Sequence, residues 1–416
     1  MNKFVVDAQW HKKRQRAEKR FQLYGKMALG LAVVILLILL GSIFTRGVSG
    51  FLQTEIKLSV QLNSAELPAK NSAELETLSG TAFMPVIQEA LRTAYPNVTE
   101  RKDRRKLYDL ISEGGGITLK DILTTYPHML VGKHDVWLPA SSDVDLFIKH
   151  GASKLDDQQK SWLAHMQDQG AVRKTFNTTY FSNGDSRSAE QAGFLGAMAG
   201  SFFTLIICLL AAFPVGVMAA IYLEEFARKG KWLDIVEVNI NNLAAVPSIV
   251  FGLLGLAIYI NLMGLPRSAP LVGGLTLALM VLPVIIIATR SALKSIPPSI
   301  RDAARALGAT PIQVVWHHTL PLAMPGVMTG TILGMARAIG ETAPLLMIGM
   351  VAFIVDIPDG FTTPATVMPV QIYLWASSPE AGFAEKTAAG ILVLLVLLLA
   401  MNAFAIFLRK RFEIRW

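Results

Sequence analysis

Residues 194–223 read FLGAMAGSFFTLIICLLAAFPVGVMAAIYL, thirty consecutive residues without a charged side chain. An α-helix needs about 20 apolar residues to cross the hydrocarbon core of a bilayer. This run is long enough and apolar enough to predict a membrane-spanning helix. The composition agrees, because 52% of the 416 residues are hydrophobic and the mean hydropathy is +0.43.

Five more apolar stretches are long enough, or nearly so, to cross a membrane. With the first, they make six predicted spans at 27–44, 194–223, 238–262, 271–289, 326–351 and 387–408. The sequence therefore predicts an all-α polytopic membrane protein. The stretch at 27–44 could instead be a cleaved secretory signal. Its length and its poor match to a small-x-small cleavage site favour an uncleaved anchor.

Basic residues predict the orientation of the spans, because Lys and Arg collect in cytoplasmic loops. Basic runs at 12–26, 228–231, 290–305 and 409–411 each lie beside a span. We expect both ends of the chain, residues 1–26 and 409–416, to be cytoplasmic. The net charge of +8 then reflects topology. It does not indicate nucleic-acid binding, since no basic run joins an aromatic-interleaved or helix-turn-helix segment.

Residues 45–193, between the first two predicted spans, carry both charge signs in near balance. We interpret them as an α+β insert outside the membrane; a partly disordered insert is the alternative. The single cysteine, Cys208, lies in a span, so no disulfide can stabilise the insert. Local patterns predict helices at 82–110 and 156–169, strands at 136–138 and 144–148, and turns at 114–116 and 182–185.

The loop at 291–325 is predicted to form two short helices. Pro297 and Pro298 end the preceding span, Ser299 is placed to cap a new helix, and Gly308 ends it. Thr310 and Pro311 open a second helix, and Leu320-Pro321 leads back into the membrane.

The first of these helices is amphipathic, with apolar residues at i, i+3, i+4 and i+7 and charged residues on the other face. The apolar stripe is Ile300, Ala303, Ala304 and Leu307, and the charged face is Arg301, Asp302 and Arg305. Such a helix can dock in a groove of a partner protein.

Arg337 and Glu341 lie near the centre of the fifth predicted span, where a charge is costly without a partner or a polar cavity. Four residues apart, they share a helix face and can pair. Two interpretations remain open: a buried ion pair that fixes helix packing, or groups that line or gate the path of an anion.

Other polar residues of the spans also have two interpretations. Asn241 and Asn242 can donate hydrogen bonds to an anion or bind neighbouring helices. Arg290, at the end of the fourth span, can extend its charge to the interface or form an exit site.

Three segments resemble the permease subunits of binding-protein-dependent ABC importers. In that family the loop reads Glu-Ala-Ala, three residues, Gly, nine residues, then Ile-x-Leu-Pro. This chain has Asp302, Ala303 and Ala304, then Gly308, then His318-Thr319-Leu320-Pro321 at the same spacing. The runs 241–252 (NNLAAVPSIVFG) and 337–344 (RAIGETAP) are similar to signatures of the phosphate-specific permeases.

The resemblance implies six transmembrane helices of the ABC importer permease type and a function in ATP-driven phosphate import across a bacterial inner membrane. It implies a second permease subunit, two ATP-binding subunits and a periplasmic phosphate-binding protein as partners. ATP and magnesium would be bound by the ATPase partner, and no cofactor by this chain. From these signatures and from the polar and charged residues of the spans, we expect the substrate pathway or its gate to include Arg337, Glu341, Thr342, Asn241, Asn242, Ser248 and Arg290. The residues that the resemblance assigns to ATPase coupling are Arg301, Asp302, Ala303, Ala304, Arg305, Leu307, Gly308, Leu320 and Pro321.

The sequence has no Gly-x4-Gly-Lys-Ser/Thr phosphate loop, so we do not expect it to hydrolyse ATP. The spans offer no evident nucleophile with a base and no metal-ligand spacing, which argues against a catalytic or metal site. Two alternatives remain open: an ABC permease for another oxyanion, such as sulfate or molybdate, and a membrane sensor or scaffold that does not transport.

Overall fold

The computed structural model describes residues 8–62, 78–151 and 154–412. Within them, five helices are long and apolar enough to cross a membrane, and a bent helix pair makes a sixth span if it is counted as one. The five are Lys13–Gly50, Leu195–Phe226, Pro270–Lys294, Pro311–Gly340 and Gly382–Arg411. The predicted helical, polytopic architecture is therefore confirmed. Parts of three predicted segments, the two chain ends and the insert, lie outside the described residues, at 1–7, 63–77, 152–153 and 413–416.

The chain begins with α1 (Ala8–Gly50), and a three-stranded antiparallel sheet with surrounding helices follows. The elements after α1 are β1 Leu52–Leu62, a 3-10 turn Gly80–Phe83, α2 Met84–Ala94, α3 Arg101–Tyr108, α4 Gly115–Thr125, a 3-10 turn Pro127–Leu130, β2 Gly132–Pro139, α5 Ser142–His150, α6 Asp157–Asp168, β3 Val172–Phe176 and α7 Thr179–Ser182. The strand order is β2-β1-β3, with Leu58 opposite Val136 and Thr54 opposite Lys174. Alternate residues of β1 are buried in a core that they share with the helices.

Two of the predicted elements in this region are wrong. Residues 144–148 belong to α5 and not to a strand, because acidic residues open that helix, Lys149 and His150 close it, and Gly151 ends it with a φ of +72°. The predicted helix at 82–110 is two helices, since Pro96 follows α2 directly and α3 begins at Arg101.

The other predicted elements here agree more closely with the structure. The predicted strand at 136–138 lies within β2, and the helix predicted at 156–169 is α6, opened by a reciprocal cap between Asp156 and Gln159. The turn predicted at 114–116 is present only in part, because Gly114 precedes α4 whereas Gly115 and Gly116 are its first residues; a Cβ on Gly116 would lie 2.3 Å from the Gly80 carbonyl oxygen.

The remaining helices form the membrane part. They are α8 Leu195–Ile221 with a π-helical turn Tyr222–Phe226, α9 Lys231–Ala244, α10 Ser248–Gly255 with a π-helical turn Leu256–Leu262, α11 Pro270–Lys294, α12 Pro298–Ala306, α13 Pro311–Gln313 with a π-helical turn Val314–Thr319, α14 Leu320–Gly340, α15 Ala343–Met347, α16 Met368–Ala376 and α17 Gly382–Phe412.

The third predicted span, 238–262, is not one straight helix. It consists of α9 and α10, which are bent by 99° relative to each other. Pro247 lies at the bend, and it has no backbone N–H and disfavours helical backbone in the residue before it. The bend therefore follows from a residue that the sequence analysis had placed inside the span.

The fifth predicted span, 326–351, is displaced along the chain. The helix runs from Pro311 to Gly340, so the second short helix predicted in the loop is continuous with it. It ends at Glu341, whose backbone is extended, with a ψ of 123°. Gly340 and Pro344 flank this break, and both weaken helical continuity.

Helix α11 is the centre of the membrane part and packs between α8 and α14. Small residues allow this approach, because a Cβ on Gly274 would lie 2.5 Å from Ile207 Cβ, and one on Gly330 would lie 2.1 Å from Ala288 Cβ. By contrast, no residue in the most apolar segment of α1 is buried by the described part of the chain. The surface of α1 is thus open to lipid or to another chain.

Candidate substrate pathway and coupling loop

The two runs that resemble phosphate-permease signatures are brought together by the fold. A Cβ on Gly252 would lie 2.7 Å from Pro344 Cα and 2.8 Å from its carbonyl oxygen, so α10 and α15 touch at their backbones. Both helices follow a break, at Pro247 and at Glu341. Discontinuous helices that meet in this way are a recurrent architecture for transport sites.

Arg337 and Glu341 form an ion pair, with Arg337 Nε 3.3 Å from Glu341 Oε1. The prediction that they lie near the centre of a span is wrong. Arg337 is in the last turn of α14, and Glu341 follows the end of that helix. The helix dipole at a C-terminus favours a cation there. The side chain of Arg337 is 44% exposed, whereas that of Glu341 is mostly buried. The guanidinium is therefore accessible to an anion.

The other predicted pathway residues lie on exposed or half-buried surface. None of the fourteen residues of α9, which carries Asn241 and Asn242, is buried within the described chain. Ser248 is the first residue of α10, and Thr342 precedes α15 and accepts hydrogen bonds from the backbone N–H groups of Leu345 and Leu346. In the described residues, the side chains of Asn241 and Asn242 form no hydrogen bond or ion pair with Arg337.

Arg290 is held by carboxylates from two neighbouring helices. Its guanidinium pairs with Glu237 of α9 and lies 3.5 Å from Glu224, in the turn that ends α8. Lys294, one turn further along α11, is 3.7 Å from Glu224. The sequence analysis did not single out Glu224 or Glu237. For Glu224 there was a visible signal, because it and Glu225 are adjacent acids beside the basic run 228–231.

Arg301 is also held inside the protein, although it was predicted on the charged face of the loop helix. Its side chain is 15% exposed and forms a two-pronged pair with Glu225, at 2.8 and 3.1 Å. It donates further hydrogen bonds to the carbonyl oxygens of Leu293 and Ile296, both at 2.9 Å. Arg301 therefore fastens α12 to the ends of α8 and α11.

The outward surface of the loop is partly apolar. Leu307 is 90% exposed, and Ile312 and Trp316 are also exposed, whereas Ala304 is buried. The predicted stripe thus does not lie on one buried face: Ala303 is exposed and Ile300 is half-buried. Asp302 and Arg305 are exposed and lie 3.7 Å apart. The exposed apolar group suits a contact with another protein.

The turn between the two loop helices follows the prediction closely. Gly308 has a φ of +85°, a conformation that favours glycine, and the side chain of Thr310 caps α13 in a reciprocal bond with Gln313. The prediction that Ser299 caps α12 is wrong, because Pro297 is the residue before that helix and Ser299 lies within it. Leu320 is buried and Pro321 is half-buried at the start of α14.

Comparisons with known protein families match two separate segments of the chain. Residues 212–414 match a family described as the binding-protein-dependent transport system inner membrane component. Residues 8–157 match a domain of unknown function, DUF3333.

Curated relatives match about half of the chain. Three are named phosphate transport system permease protein PstA. The protein from Yersinia pestis is 36% identical over 222 residues, 53% of this chain and 74% of the relative. Those from Haemophilus influenzae and Mycobacterium leprae are 32% and 33% identical and are covered to 75% and 69% of their lengths, with 52% and 51% of this chain. A solved structure titled as an inward-facing conformation of the MetNI methionine ABC transporter aligns weakly, with a TM-score of 0.40 and 19% identity, over 52% of this chain and 95% of its own.

Proposed function

Because this chain belongs to the PstA family of phosphate transport permeases, within the binding-protein-dependent inner-membrane components, we propose that it forms half of the pathway of an ATP-driven phosphate importer. It is a non-catalytic, multi-pass membrane subunit, and ATP hydrolysis belongs to a separate subunit. The single observation that supports this function most strongly is the similarity to the PstA relatives, of which the protein from Yersinia pestis is 36% identical over 222 residues. Sulfate or molybdate transport and a non-transporting sensor are not favoured.

The proposed orientation places both chain ends and the loop around α12 in the cytoplasm, and the sheet-containing residues 45–193 outside as an α+β insert. The basic residues beside α1 and at 409–411 support this orientation, because positive charge accumulates on the cytoplasmic side. The three-stranded sheet and its helices support the α+β character.

We assign ATPase docking to the loop from α12 to α13. Leu307, Ile312 and Trp316 provide an apolar surface for a groove of the ATPase subunit, and Arg301 joins that surface to the membrane helices through Glu225. Movement of the loop would then displace the ends of α8 and α11 directly. Two copies of the ATPase, one under each permease subunit, are the expected arrangement.

We assign anion contact to Arg337. When phosphate approaches, its oxygens can replace Glu341 as acceptors of the guanidinium hydrogen bonds. The uncovered surface of α9, with Asn241 and Asn242, would face the second permease subunit and complete the pathway. Ser248 and Thr342, at the two helix breaks, would supply hydroxyl groups that can donate hydrogen bonds to the anion. Arg290 would stabilise the part of the pathway that α11 forms. The proposed transport mechanism is alternating access, and it includes no covalent step.

The test is uptake by the complete complex in vesicles. The chain is reconstituted with its partner permease, ATPase and binding protein, and labelled phosphate and sulfate are offered with and without ATP. We expect ATP-dependent phosphate uptake and little sulfate uptake. Equal uptake of both anions, or phosphate uptake that does not require ATP, would contradict the proposal.

A further inference from the structure

A cluster of buried charges lies where the insert meets the last membrane helix. Lys149, in the last turn of α5, is only 3% exposed. Its ammonium group contacts Asp145 Oδ2 at 2.5 Å, Glu385 Oε2 at 3.0 Å and the Leu52 carbonyl oxygen at 2.7 Å. A buried ammonium is costly unless it is paired and hydrogen-bonded, and here all three donor positions have acceptors.

Glu385, in the first turn of α17, connects this cluster to further elements. It pairs with His150 as well as Lys149, and accepts a hydrogen bond from Ser49 of α1 at 3.0 Å. The other oxygen of Asp145 accepts the Thr54 backbone N–H at 2.8 Å. One network therefore joins α1, β1, α5 and α17, and we call it the Lys149–Glu385 node.

The backbones around the node are in close contact. A Cβ on Gly382 would lie 2.5 Å from Ser142 Oγ, and one on Gly50 would lie 2.6 Å from the Glu385 carbonyl oxygen. Ser142 also donates to Glu190 at 2.9 Å, and burial raises the pKa of that carboxyl group. Such contacts leave no space for a hinge between the insert and the start of α17.

The opposite end of α17 is packed less closely. An apolar pocket of about 360 Å³, partly open to the surface, lies between its second half and helices α8 and α14. Three methionines are among its lining residues, and the flexible thioether side chain adapts to changes of shape. The lining residues used here are Met328 and Met335 of α14 and Met401 of α17. Helix α17 is thus fixed at one end and has room to move at the other.

We propose that Lys149 and Glu385 are positioning residues that join the insert and the first and last membrane helices into one body, so that a load on the insert moves α17 against α14. Because α14 carries Arg337 and continues into the docking loop, such movement reaches both the pathway and the ATPase contact. This inference rests on the proposed function of those two regions. It gives the insert a mechanical part in transport.

Distances between spin labels test the rigidity of the joint in the complete complex. The single native cysteine, Cys208, is buried, so labels can be placed on introduced cysteines at exposed Lys102 of the insert and exposed Phe404 of α17. In the unmodified chain we expect one narrow distance distribution. Lys149→Met should broaden it, and Lys149→Arg should keep it narrow. The control is Lys160→Met, which removes an exposed pair with Asp157 and should change nothing.

Uptake in the same complexes tests the function of the joint. We expect Lys149→Met to lower phosphate transported per ATP hydrolysed by several-fold, counted per assembled complex, and Lys149→Arg to restore most of it. If Lys149→Met does not assemble, Ser49→Ala removes only one hydrogen bond to Glu385 and should produce a smaller broadening. A narrow distribution with unchanged transport per ATP in the variants that assemble would overturn the proposal. The label distances do not depend on the substrate, so this failure is distinguishable from a failure of phosphate transport in the unmodified complex.

Discussion

Three arginines of the membrane part are held in two different ways. Arg301 in the docking loop and Arg290 near the end of α11 are mostly buried. Glu225 holds Arg301, and Glu224 and Glu237 hold Arg290, all from other helices. At the break after α14, Arg337 is nearly half exposed, and its ion-pair partner among the described residues is Glu341, a close neighbour in sequence. A guanidinium with several buried acceptors is a structural joint, whereas one with a single weakly placed acceptor is available to a ligand.

The difference explains why charge inside a membrane protein does not by itself indicate a substrate site. Removing Arg301 would leave Glu225 buried without a partner, which affects folding. Removing Arg337 would leave a carboxylate beside solvent-accessible space, which affects the anion more than the fold. Substitutions of the two arginines should therefore separate stability from transport.

The largest expected effect is on stability, from Arg301→Met. Because this change leaves the buried Glu225 carboxylate unpaired, we expect it to lower the free energy of unfolding by about 3 kcal/mol. Chemical denaturation of the purified complex in detergent measures the loss. The matched control is Arg305→Met, whose exposed pair with Asp302 should contribute less than about 1 kcal/mol. If the two substitutions lower the free energy of unfolding equally, the buried pair of Arg301 does not contribute more to stability than the exposed pair of Arg305.

The next largest effect is on transport, from Arg337→Gln. A hydrogen bond to a charged group contributes about 1.5–3 kcal/mol, so we expect phosphate uptake to fall by roughly 10- to 100-fold. Arg337→Lys keeps the charge but not the planar fork, and should retain part of the uptake. The free energy of unfolding should change by less than about 1 kcal/mol. If the Arg337→Gln variant takes up phosphate at the full rate, the ion pair of Arg337 and Glu341 stabilises helix packing and does not contact the anion.

A smaller effect is expected from Gly308→Val in the docking loop. A side chain at a φ of +85° is strained, and we expect a cost of about 1–2 kcal/mol together with a lower ratio of phosphate transported to ATP hydrolysed. Ala306→Val, an exposed helical position two residues earlier, should cost about 0.5 kcal/mol. If the ratio of phosphate transported to ATP hydrolysed is unchanged in the Gly308→Val variant, the ATPase subunit does not dock at this turn.

Much of the fold could be predicted because long apolar runs and basic flanks are one-dimensional signals. Pro247 was included within the predicted span 238–262, where the helix is broken, and the fifth span was predicted to continue to residue 351, beyond the end of α14 at Gly340. Strand β1 was missed although Ile56, Leu58 and Val60 alternate with polar residues. In these cases the pattern was present and was given too little weight.

The partners of the charged residues could not be predicted, because they depend on which helix ends meet in space. Arg301 and Glu225 are separated by 76 positions in the chain, and Arg290 and Glu237 by 53. By contrast, the pairing of Arg337 with Glu341 followed from helical spacing alone. Local pairs can therefore be predicted from sequence, whereas the joints that distinguish the two kinds of arginine require the structure.

The smallest effect compares two hydroxyl residues of the loop, of which only one caps a helix. Thr310 accepts the Gln313 backbone N–H, while Ser299 lies within α12 and makes no side-chain cap. We expect Thr310→Ala to lower the free energy of unfolding by about 1 kcal/mol, because a backbone donor at the start of α13 loses its acceptor. Ser299→Ala should be neutral or stabilising by a few tenths, since alanine has the higher helix propensity. Both are measured by chemical denaturation against the unmodified chain. The opposite ranking would make Ser299 the N-cap and place the start of α12 two residues later, at Ile300.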